Sequence, residues 1–282
     1  DFIANPSNKS IFMKRHMIIH SFRSYLNNKN FIEAETPVLQ PIYGGANARP
    51  FTTYHHTLNE KLYLRIAVEL YLKRLIIGGF DKVYEISKNF RNEGMDRNHN
   101  PEFTMLEFYQ SYTDVYNIMD ITEDLLKYVA KKTSSENIIF DGNTIDFRKD
   151  FIRVSLDELF YQEFNIPKLL NNETKLRKIG SDLNLNPKYD LGKMIDKIFS
   201  LKIEPKLISP TFVFDYPKIL SPLSKLKRNQ NNDIVERFEL FIGGMEIANA
   251  FTELNDPLDQ RERFESQEKL KEKGDVEAQV LD

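Results

Sequence analysis

Residues 83–112 read VYEISKNFRNEGMDRNHNPEFTMLEFYQSY, a pattern of two strands joined by a polar loop. Side chains alternate between the two faces of a strand, so we expect a first strand over 83–93 and a return strand that begins at Phe103. The loop between them, 94–101, is rich in turn-forming residues. If the strands pair, one face carries a cation, two carboxylates, an aromatic ring and a phenol, namely Arg91, Glu93, Phe103, Glu107 and Tyr109. A hydrophobic core needs no such set, and this face is therefore a candidate functional site.

Length and composition indicate an ordinary globular protein. The chain has 282 residues, a formal net charge of −3 and 41% hydrophobic residues, so it can bury a core and has no general attraction to nucleic acid or membranes. It contains no cysteine, which excludes disulfides and thiolate zinc sites and is compatible with a reducing compartment. No apolar run reaches the roughly 18 residues of a membrane span, and we expect no membrane partner.

A second polar pattern lies in residues 236–257, ERFELFIGGMEIANAFTELNDP. Its Gly-Gly dipeptide predicts a two-residue hairpin turn, which would place Phe241 opposite Glu246 and Ala248 opposite Glu239. The two glutamates then share a face, where they repel each other unless a cation lies between them. Oxygen ligands of this kind suit Mg²⁺. Two glutamates on a solvated sheet face are the plainer alternative.

Taken together, these segments resemble the catalytic domain of class II aminoacyl-tRNA synthetases, and in detail the lysyl-tRNA synthetase family. The run FRNEG at 90–94, the run HNPEFTM at 99–105, and Glu107 and Tyr109 beyond it are similar to motif 2. A helical pattern followed by a strand with Pro37 is similar to motif 1, which forms the dimer interface in the family. The resemblance implies an α+β fold, with an antiparallel β-sheet flanked by helices and a small inserted subdomain.

The same resemblance predicts a domain organisation. Residues 1–133 are expected to form the catalytic core with motifs 1 and 2, residues 134–204 an insert subdomain, and residues 205–282 the continued core. The glycine-rich motif 3 with its Asp-Arg pair does not occur in the sequence, and neither does the anticodon-binding domain that precedes this core in the family. We therefore expect a catalytic-domain fragment that is weakly active or inactive alone.

The resemblance also implies a role for each residue of the site. Arg91 is the expected catalytic residue, which holds the carboxylate of lysine and the phosphate of ATP. The implied lysine ligands are Gly45, Glu69, Arg91, Glu107, Tyr109, Asn249, Phe251 and Glu253. The implied ATP ligands are Arg91, Glu93, His99, Asn100, Phe103 and Glu239, and the implied Mg²⁺ ligands are Glu239 and Glu246. From periodicity alone, Glu69 is equally a solvated helix carboxylate, and the glycine pair that includes Gly45 is more often an ordinary turn.

Three of these residues raise a geometric problem. A straight strand would place Asn249, Phe251 and Glu253 on the face opposite to Glu246. The family uses both sets in one pocket, so we expect the backbone to bend or to change to a helical turn near 248–250. The residue pattern alone does not derive that bend.

The expected function is that of a cytoplasmic lysine–tRNA ligase, which activates lysine with ATP and Mg²⁺ and transfers it to tRNA(Lys). The expected partners are lysine, ATP, tRNA(Lys) and a second copy of the chain, through the motif 1 region around Pro37. Glu253 with Tyr109 would face the ε-ammonium of lysine, which separates this specificity from aspartate and asparagine. Two alternatives stay open: a lysine ligase that modifies elongation factor P, and a non-catalytic paralogue that serves as a binding module.

Overall fold

The structure is a computed structural model and describes residues 2–46, 48–228 and 233–272. The α-helices are α1 (Asn8–Asn28), α2 (Glu69–Ile77), α3 (Val115–Lys132), α4 (Leu156–Phe164), α5 (Glu173–Asp182), α6 (Leu191–Lys202) and α7 (Pro257–Glu272). The β-strands are β1 (Ile32–Glu33), β2 (Leu39–Gln40), β3 (Thr52–His55), β4 (Glu60–Leu64), β5 (Lys82–Phe90), β6 (Glu102–Gln110), β7 (Asn137–Phe140), β8 (Asn143–Asp146), β9 (Ile152–Ser155), β10 (Thr211–Pro217), β11 (Ile234–Ile242) and β12 (Met245–Phe251). Most strand pairs are antiparallel, which confirms the predicted α+β class.

The described residues form two compact units. Unit 1 contains the chain up to Ser21 together with Thr113–Asp256, and unit 2 contains Phe22–Tyr112 and α7. Within unit 1, one hydrophobic cluster joins α4 and α6 to β10 and β11. The predicted domain boundaries at residues 133 and 204 stay a prediction.

In unit 2, β5 and β6 form the expected hairpin and pair antiparallel along their whole length. β1 pairs parallel with β5 on its other side. The first strand ends at Phe90 rather than at Glu93, which corrects the prediction of a longer strand. The cause is a change of hydrogen-bond partner, since the backbone N of Asn92 donates to the backbone O of Arg49 at 2.7 Å and so leaves the ladder with β6.

Unit 2 also contains a buried ion pair. Arg65 Nη1 lies 2.7 Å from Glu85 Oε1, and the two side chains are only 5% and 6% exposed. Glu85 Oε2 accepts from the hydroxyl and the backbone N of Thr36, at 2.7 and 3.1 Å. Arg65 Nε donates to the backbone O of Lys88 at 2.9 Å. The pair thereby fixes the segment that contains Thr36 against the motif 2 hairpin.

In unit 1, the sheet has the strand order β12-β11-β10-β9. Gly243 and Gly244, with φ of +64° and +73°, form the turn between β11 and β12. This confirms the predicted hairpin, because a two-residue turn of this type requires positive φ at both positions. The side chains of β11 alternate between two hydrophobic clusters, with Phe241 in one and Leu240 in the other.

The helices show the local signals expected from their sequences. Asp114 caps α3, because its side chain accepts from the backbone N of Tyr116 at 3.1 Å and of Asn117 at 3.2 Å. Ser155 and Glu158 form a reciprocal capping box at the start of α4. None of the described helices combines the length and the hydropathy that crossing a lipid bilayer requires.

Candidate active site

The predicted site residues divide between the two units. In unit 2 lie Gly45, Glu69, Arg91, Glu93, His99, Asn100, Phe103, Glu107 and Tyr109. In unit 1 lie Glu239, Glu246, Asn249, Phe251 and Glu253.

The motif 2 hairpin places its polar residues on one face, as alternation predicts. Phe103, Glu107 and Tyr109 alternate along β6 with the correct parity to share that face. Arg91 lies one residue beyond β5, and its guanidinium carbon is 5.1 Å from the centre of the Phe103 ring. Arg91 Nε also donates to the backbone O of Ile66 at 3.4 Å. The cation and the aromatic ring are therefore already adjacent without a ligand.

Glu107 is the most perturbed acid of this face. Its Oε2 accepts from the hydroxyl of Tyr109 at 2.9 Å, and its Oε1 accepts from the backbone N of Val68 at 3.3 Å. Burial, followed by the negative charge of Glu69, raises the pKa of Glu107 to about 7. A cation bound here would favour the ionised form of Glu107.

Glu69 is the first residue of α2 and is buried. Its carboxylate pairs with Lys73 Nζ at 2.7 Å, one turn along the same helix. Sequence reasoning missed Lys73, although the four-residue spacing is the usual signal for such a pair. Gly45 has φ of +84°, and a Cβ there would lie 2.7 Å from the Cβ of Glu69. The Gly45 backbone therefore lies directly against Glu69, at a separation that no side chain permits.

The remaining motif 2 residues lie in the loop between the strands. Glu93, His99 and Asn100 are exposed there. The prediction that Glu93 lies on the strand face was wrong, because β5 ends at Phe90. His99 Nδ1 contacts Asp96 Oδ2 at 2.8 Å. Hydrogen bonds from the backbone N of Asn98 and from the His99 side chain lower the pKa of Asp96. Hydrogen bonds to the Asp96 carboxylate thus hold the loop, and the His99 side chain is exposed.

The hairpin of unit 1 contains a β-bulge. Phe241 pairs with Glu246 as predicted, but Glu239 pairs with Asn249 rather than with Ala248. Ile247 is the extra residue of β12, which has no partner in this register. Because one inserted residue reverses the alternation that follows it, Asn249 reaches the same face as Glu246. The bend that the family resemblance implied is this bulge, immediately before residues 248–250.

Glu239 is held by three neighbours on this face. Its Oε2 accepts from the hydroxyl of Tyr216 at 2.7 Å, and its Oε1 contacts Arg237 Nη2 at 2.5 Å. Asn249 Nδ2 donates to the same Oε1 at 3.3 Å. Burial, then the charge of Glu239, raises the pKa of Tyr216, which therefore stays a donor. Sequence reasoning missed both Tyr216 and Arg237; Arg237, two residues before Glu239 in one strand, was available from alternation.

Glu246 is the exposed member of the carboxylate pair. Although the residue as a whole is exposed, its carboxyl is partly desolvated, and this, followed by the charge of Glu239, raises the pKa of the Glu246 carboxyl, while the charge of Arg237 lowers it. A cation bound between the two carboxylates would favour their ionised forms. Among the described residues no group of three acidic, histidine or cysteine side chains could hold a metal. Two carboxylates nevertheless fit Mg²⁺, which commonly takes one or two from the protein and completes its shell with phosphate and water.

Glu253 lies just beyond β12, where the strand gains a new neighbour. It forms an isolated antiparallel bridge with Ser224. The backbone N of Lys225 donates to the backbone O of Thr252 at 2.8 Å, and the backbone N of Leu254 donates to the backbone O of residue 223 at 3.0 Å. These bonds fix the backbone on both sides of Glu253, whose side chain is half-buried.

Comparison with known proteins agrees with the two motifs. The family model described as "tRNA synthetases class II (D, K and N)" matches residues 1–280. The chain belongs to this family.

Curated members of the family resemble the chain along its full length. The "Lysine--tRNA ligase" of Roseiflexus sp. (strain RS-1) is 50% identical over 288 residues, which cover 100% of this chain and 58% of the relative. Proteins of the same name from Porphyromonas gingivalis (strain ATCC BAA-308 / W83) and Aquifex aeolicus (strain VF5) are also 50% identical, with 49% and 48% of their lengths covered. The chain thus spans about half the length of the relatives it matches.

Proposed function

We propose that the protein is a lysine–tRNA ligase, which activates lysine with ATP and transfers the lysyl group to tRNA(Lys). The observation that carries the proposal is the bulge at Ile247, which brings Asn249 to the face of Glu239 and Glu246. Without this bulge, Asn249 would lie on the face opposite to Glu239 and Glu246. The names of the similar proteins support lysine as the amino acid, and a role in translation would place the enzyme in the cytoplasm.

Positioning and fixed positive charge would carry the activation step. The carboxylate of lysine attacks the α-phosphate of ATP, so two negative groups approach each other and a cation must offset them. Arg91 suits this role because its planar guanidinium can hold carboxylate and phosphate oxygens together. Its contact with Phe103 keeps it beside the ring that we propose to stack on adenine. No acid–base residue is required, because bringing the reactants together accounts for much of the rate.

The other nucleotide contacts are proposed from the resemblance. Glu93 would accept from the adenine amine, and His99 and Asn100 would contact the phosphates. Mg²⁺ held by Glu239 and Glu246 would neutralise phosphate charge and help to orient the leaving pyrophosphate.

Lysine would be read at its three charged groups. Glu69 and Glu107, with the Gly45 backbone against Glu69, would hold the α-ammonium. Asn249 and Arg91 would hold the carboxylate. The ε-ammonium and the methylene chain would meet the remaining proposed ligands, which are Tyr109, Phe251 and Glu253.

The direct test is amino-acid-dependent exchange of pyrophosphate into ATP, followed by transfer of the activated amino acid. We expect exchange with lysine and charging of tRNA(Lys) from a protein that has the full length of the relatives, and weak or no activity from these 282 residues alone. A preference for aspartate or asparagine would contradict the proposed specificity. Exchange with lysine, but transfer to a lysine side chain of a protein instead of to tRNA, would favour the elongation factor P ligase. No exchange with any amino acid by the protein of full relative length would favour a binding module.

A homodimer through the motif 1 region is a further part of the proposal. Large hydrophobic side chains are exposed on both sides of Pro37, including Ile32 at 53%, Leu39 at 47% and Ile42 at 45%. Such a group of exposed apolar side chains marks an interaction surface. Equilibrium sedimentation should return the mass of a dimer, and a monomer at micromolar concentration would contradict this part.

Replacing Gly45 with alanine should weaken lysine binding. The positive φ alone costs about 1–2 kcal/mol for a residue with a side chain, and the new Cβ would also displace Glu69. Gly79→Ala is the matched control, since Gly79 has φ of +100° but a Cβ added there would have nothing within 4 Å. Calorimetric titration with lysine should show a loss only for Gly45→Ala. Equal losses in the two variants would mean that the contact with Glu69 is unimportant.

Lysine affinity should fall as the pH drops below about 7. The pKa of Glu107 is higher in the folded state than in the unfolded state, so its ionisation lowers the stability of the fold as the pH rises from the ordinary pKa of a glutamate towards 7. The ionised form is nevertheless the one that binds an ammonium. Below this pKa, affinity should decrease by about tenfold per pH unit as a proton must be released on binding. Titrations between pH 6 and pH 8 in buffers of different ionisation enthalpy measure the affinity for lysine and the number of protons released on binding. A flat profile would contradict the assignment, and Glu107→Gln should abolish the slope.

A further inference from the structure

Arg237 contacts both side chains and backbone around the face of β11 and β12 that carries Glu239. Its side chain is 15% exposed. Nη2 contacts Glu239 Oε1 at 2.5 Å, and Nε donates to Asn249 Oδ1 at 3.2 Å. Nη1 donates to the backbone O of Leu220 at 2.8 Å and to the hydroxyl of Ser221 at 2.9 Å. Nη1 thus anchors the guanidinium to residues 220 and 221, while Nε and Nη2 bind Asn249 and Glu239 of the candidate site.

The three side chains form a closed triangle. Arg237 contacts both Glu239 and Asn249, and Asn249 Nδ2 donates back to Glu239 Oε1 at 3.3 Å. The guanidinium carbon also lies 4.8 Å from the centre of the Tyr216 ring, and the Tyr216 hydroxyl binds the other oxygen of Glu239. Because the guanidinium is planar and held on several sides, neither Glu239 nor Asn249 can move without changing its bond to Arg237.

We propose that Arg237 couples the binding of lysine to the binding of ATP, by holding Asn249 and Glu239 in one hydrogen-bonded triangle. The inference rests on the proposed function, which assigns Asn249 to the carboxylate of lysine and Glu239 to the magnesium-bound nucleotide. It makes Arg237 a positioning residue that acts through these two ligands.

The sign of the coupling follows from charge. In the free protein, Glu239 neutralises the guanidinium at 2.5 Å. When Glu239 shares its charge with a bound cation, Arg237 retains unbalanced positive charge next to Asn249, where the carboxylate of lysine is proposed to lie. Each ligand therefore strengthens the binding of the other. Coupling between two sites typically amounts to about 5–150-fold in affinity, and it is reciprocal.

Calorimetry on the unmodified protein and on Arg237→Gln tests the inference. The dissociation constant of lysine is measured with and without saturating magnesium and a non-hydrolysable ATP analogue, and the nucleotide is titrated with and without lysine. In the unmodified protein we expect each ligand to tighten the other by roughly tenfold. In Arg237→Gln both ratios should approach one, since glutamine carries no charge and cannot span both partners.

Ser221→Ala is the control for structural damage, because it removes one anchor of Arg237 but leaves its bonds to Glu239 and Asn249. Its coupling ratio should stay close to that of the unmodified protein. Arg237→Lys is the second variant if Arg237→Gln does not fold, because it keeps the charge but cannot form the fork, and its ratio should also fall.

Three outcomes have distinct meanings. An unchanged coupling ratio in Arg237→Gln or in folded Arg237→Lys overturns the inference. Independent binding of lysine and nucleotide to the unmodified protein also overturns the inference, but leaves the proposed function intact. Failure of the unmodified protein to bind either ligand overturns the proposed function and the inference with it.

Discussion

Replacing Glu85 with glutamine is expected to lower the free energy of unfolding by about 3–5 kcal/mol, the usual cost of breaking a buried ion pair on one side. The substitution keeps the shape of the side chain but leaves Arg65, which is 4% exposed, without its counter-charge. Arg65 cannot lose its proton in response, because a guanidinium stays charged in proteins. Thr36 would also lose the charged acceptor that binds its backbone N and its hydroxyl.

Glu102→Gln is the matched control for this experiment. Glu102 lies on the same hairpin and pairs with Lys88 at 2.9 Å, but the two side chains are 56% and 53% exposed. An exposed pair of this kind contributes at most about 1 kcal/mol. Urea unfolding of the two variants and the unmodified protein gives the comparison. Equal losses would show that burial of the Arg65 pair has no energetic weight, and a changed m-value would indicate an altered unfolded or native state.

Local rules predicted that both hairpins form, but not their full strand lengths and register. Alternation placed Phe103, Glu107 and Tyr109 on one face, and the Gly-Gly dipeptide placed Phe241 opposite Glu246. Both depend on strand periodicity and turn geometry, which act over a few residues. These rules failed where a distant segment competes for the backbone, as when Asn92 leaves the ladder to pair with residue 49.

The family resemblance implied a bend near residues 248–250, but the residue pattern did not derive it. Neither glycine nor proline marks the run Glu246-Ile247-Ala248, so no residue type signals an interruption. The register shift satisfies two demands at once, since Ala248 and Ala250 pack on one hydrophobic cluster while Asn249 lies on the face of Glu239. Which residue is extruded depends on packing across the sheet, and a single sequence does not carry that information.

Some ion pairs could likewise be predicted from sequence spacing, whereas others could not. Lys73 four residues after Glu69 and Arg237 two residues before Glu239 follow from helical and strand spacing. Arg65 follows β4 and Glu85 lies in β5, 20 residues further along the chain, so only the folded chain brings them together. The roles of the individual site residues stay predictions, and the most discriminating of them concerns Glu253.

Replacing Glu253 with glutamine is expected to weaken lysine binding by roughly two to three and a half orders of magnitude, because removing one partner of a buried ammonium–carboxylate pair costs about 3–5 kcal/mol. The affinity for the ATP analogue, measured without lysine, should change by no more than a factor of about two, which is a free-energy change well below 1.4 kcal/mol, the equivalent of about tenfold. The backbone bonds around Glu253 do not involve its carboxylate, so the substitution should leave the bridge to Ser224 in place. Calorimetry with each ligand separates the two affinities, and Glu163→Gln, which removes a surface carboxylate paired with Lys206 in the same unit, is the control.

Norleucine, which has the same methylene chain as lysine but no ε-ammonium, makes the test specific to charge. The unmodified protein should prefer lysine strongly, because norleucine offers no ammonium to the carboxylate of Glu253. In Glu253→Gln the amide has no charge to match, so lysine should lose affinity while norleucine changes little, and the preference should shrink. If the preference survives the substitution, the counter-charge for the ε-ammonium lies on another residue. If lysine and nucleotide affinities fall together, the side chain maintains the structure instead of reading the substrate, and the half-buried position of Glu253 would then reflect packing.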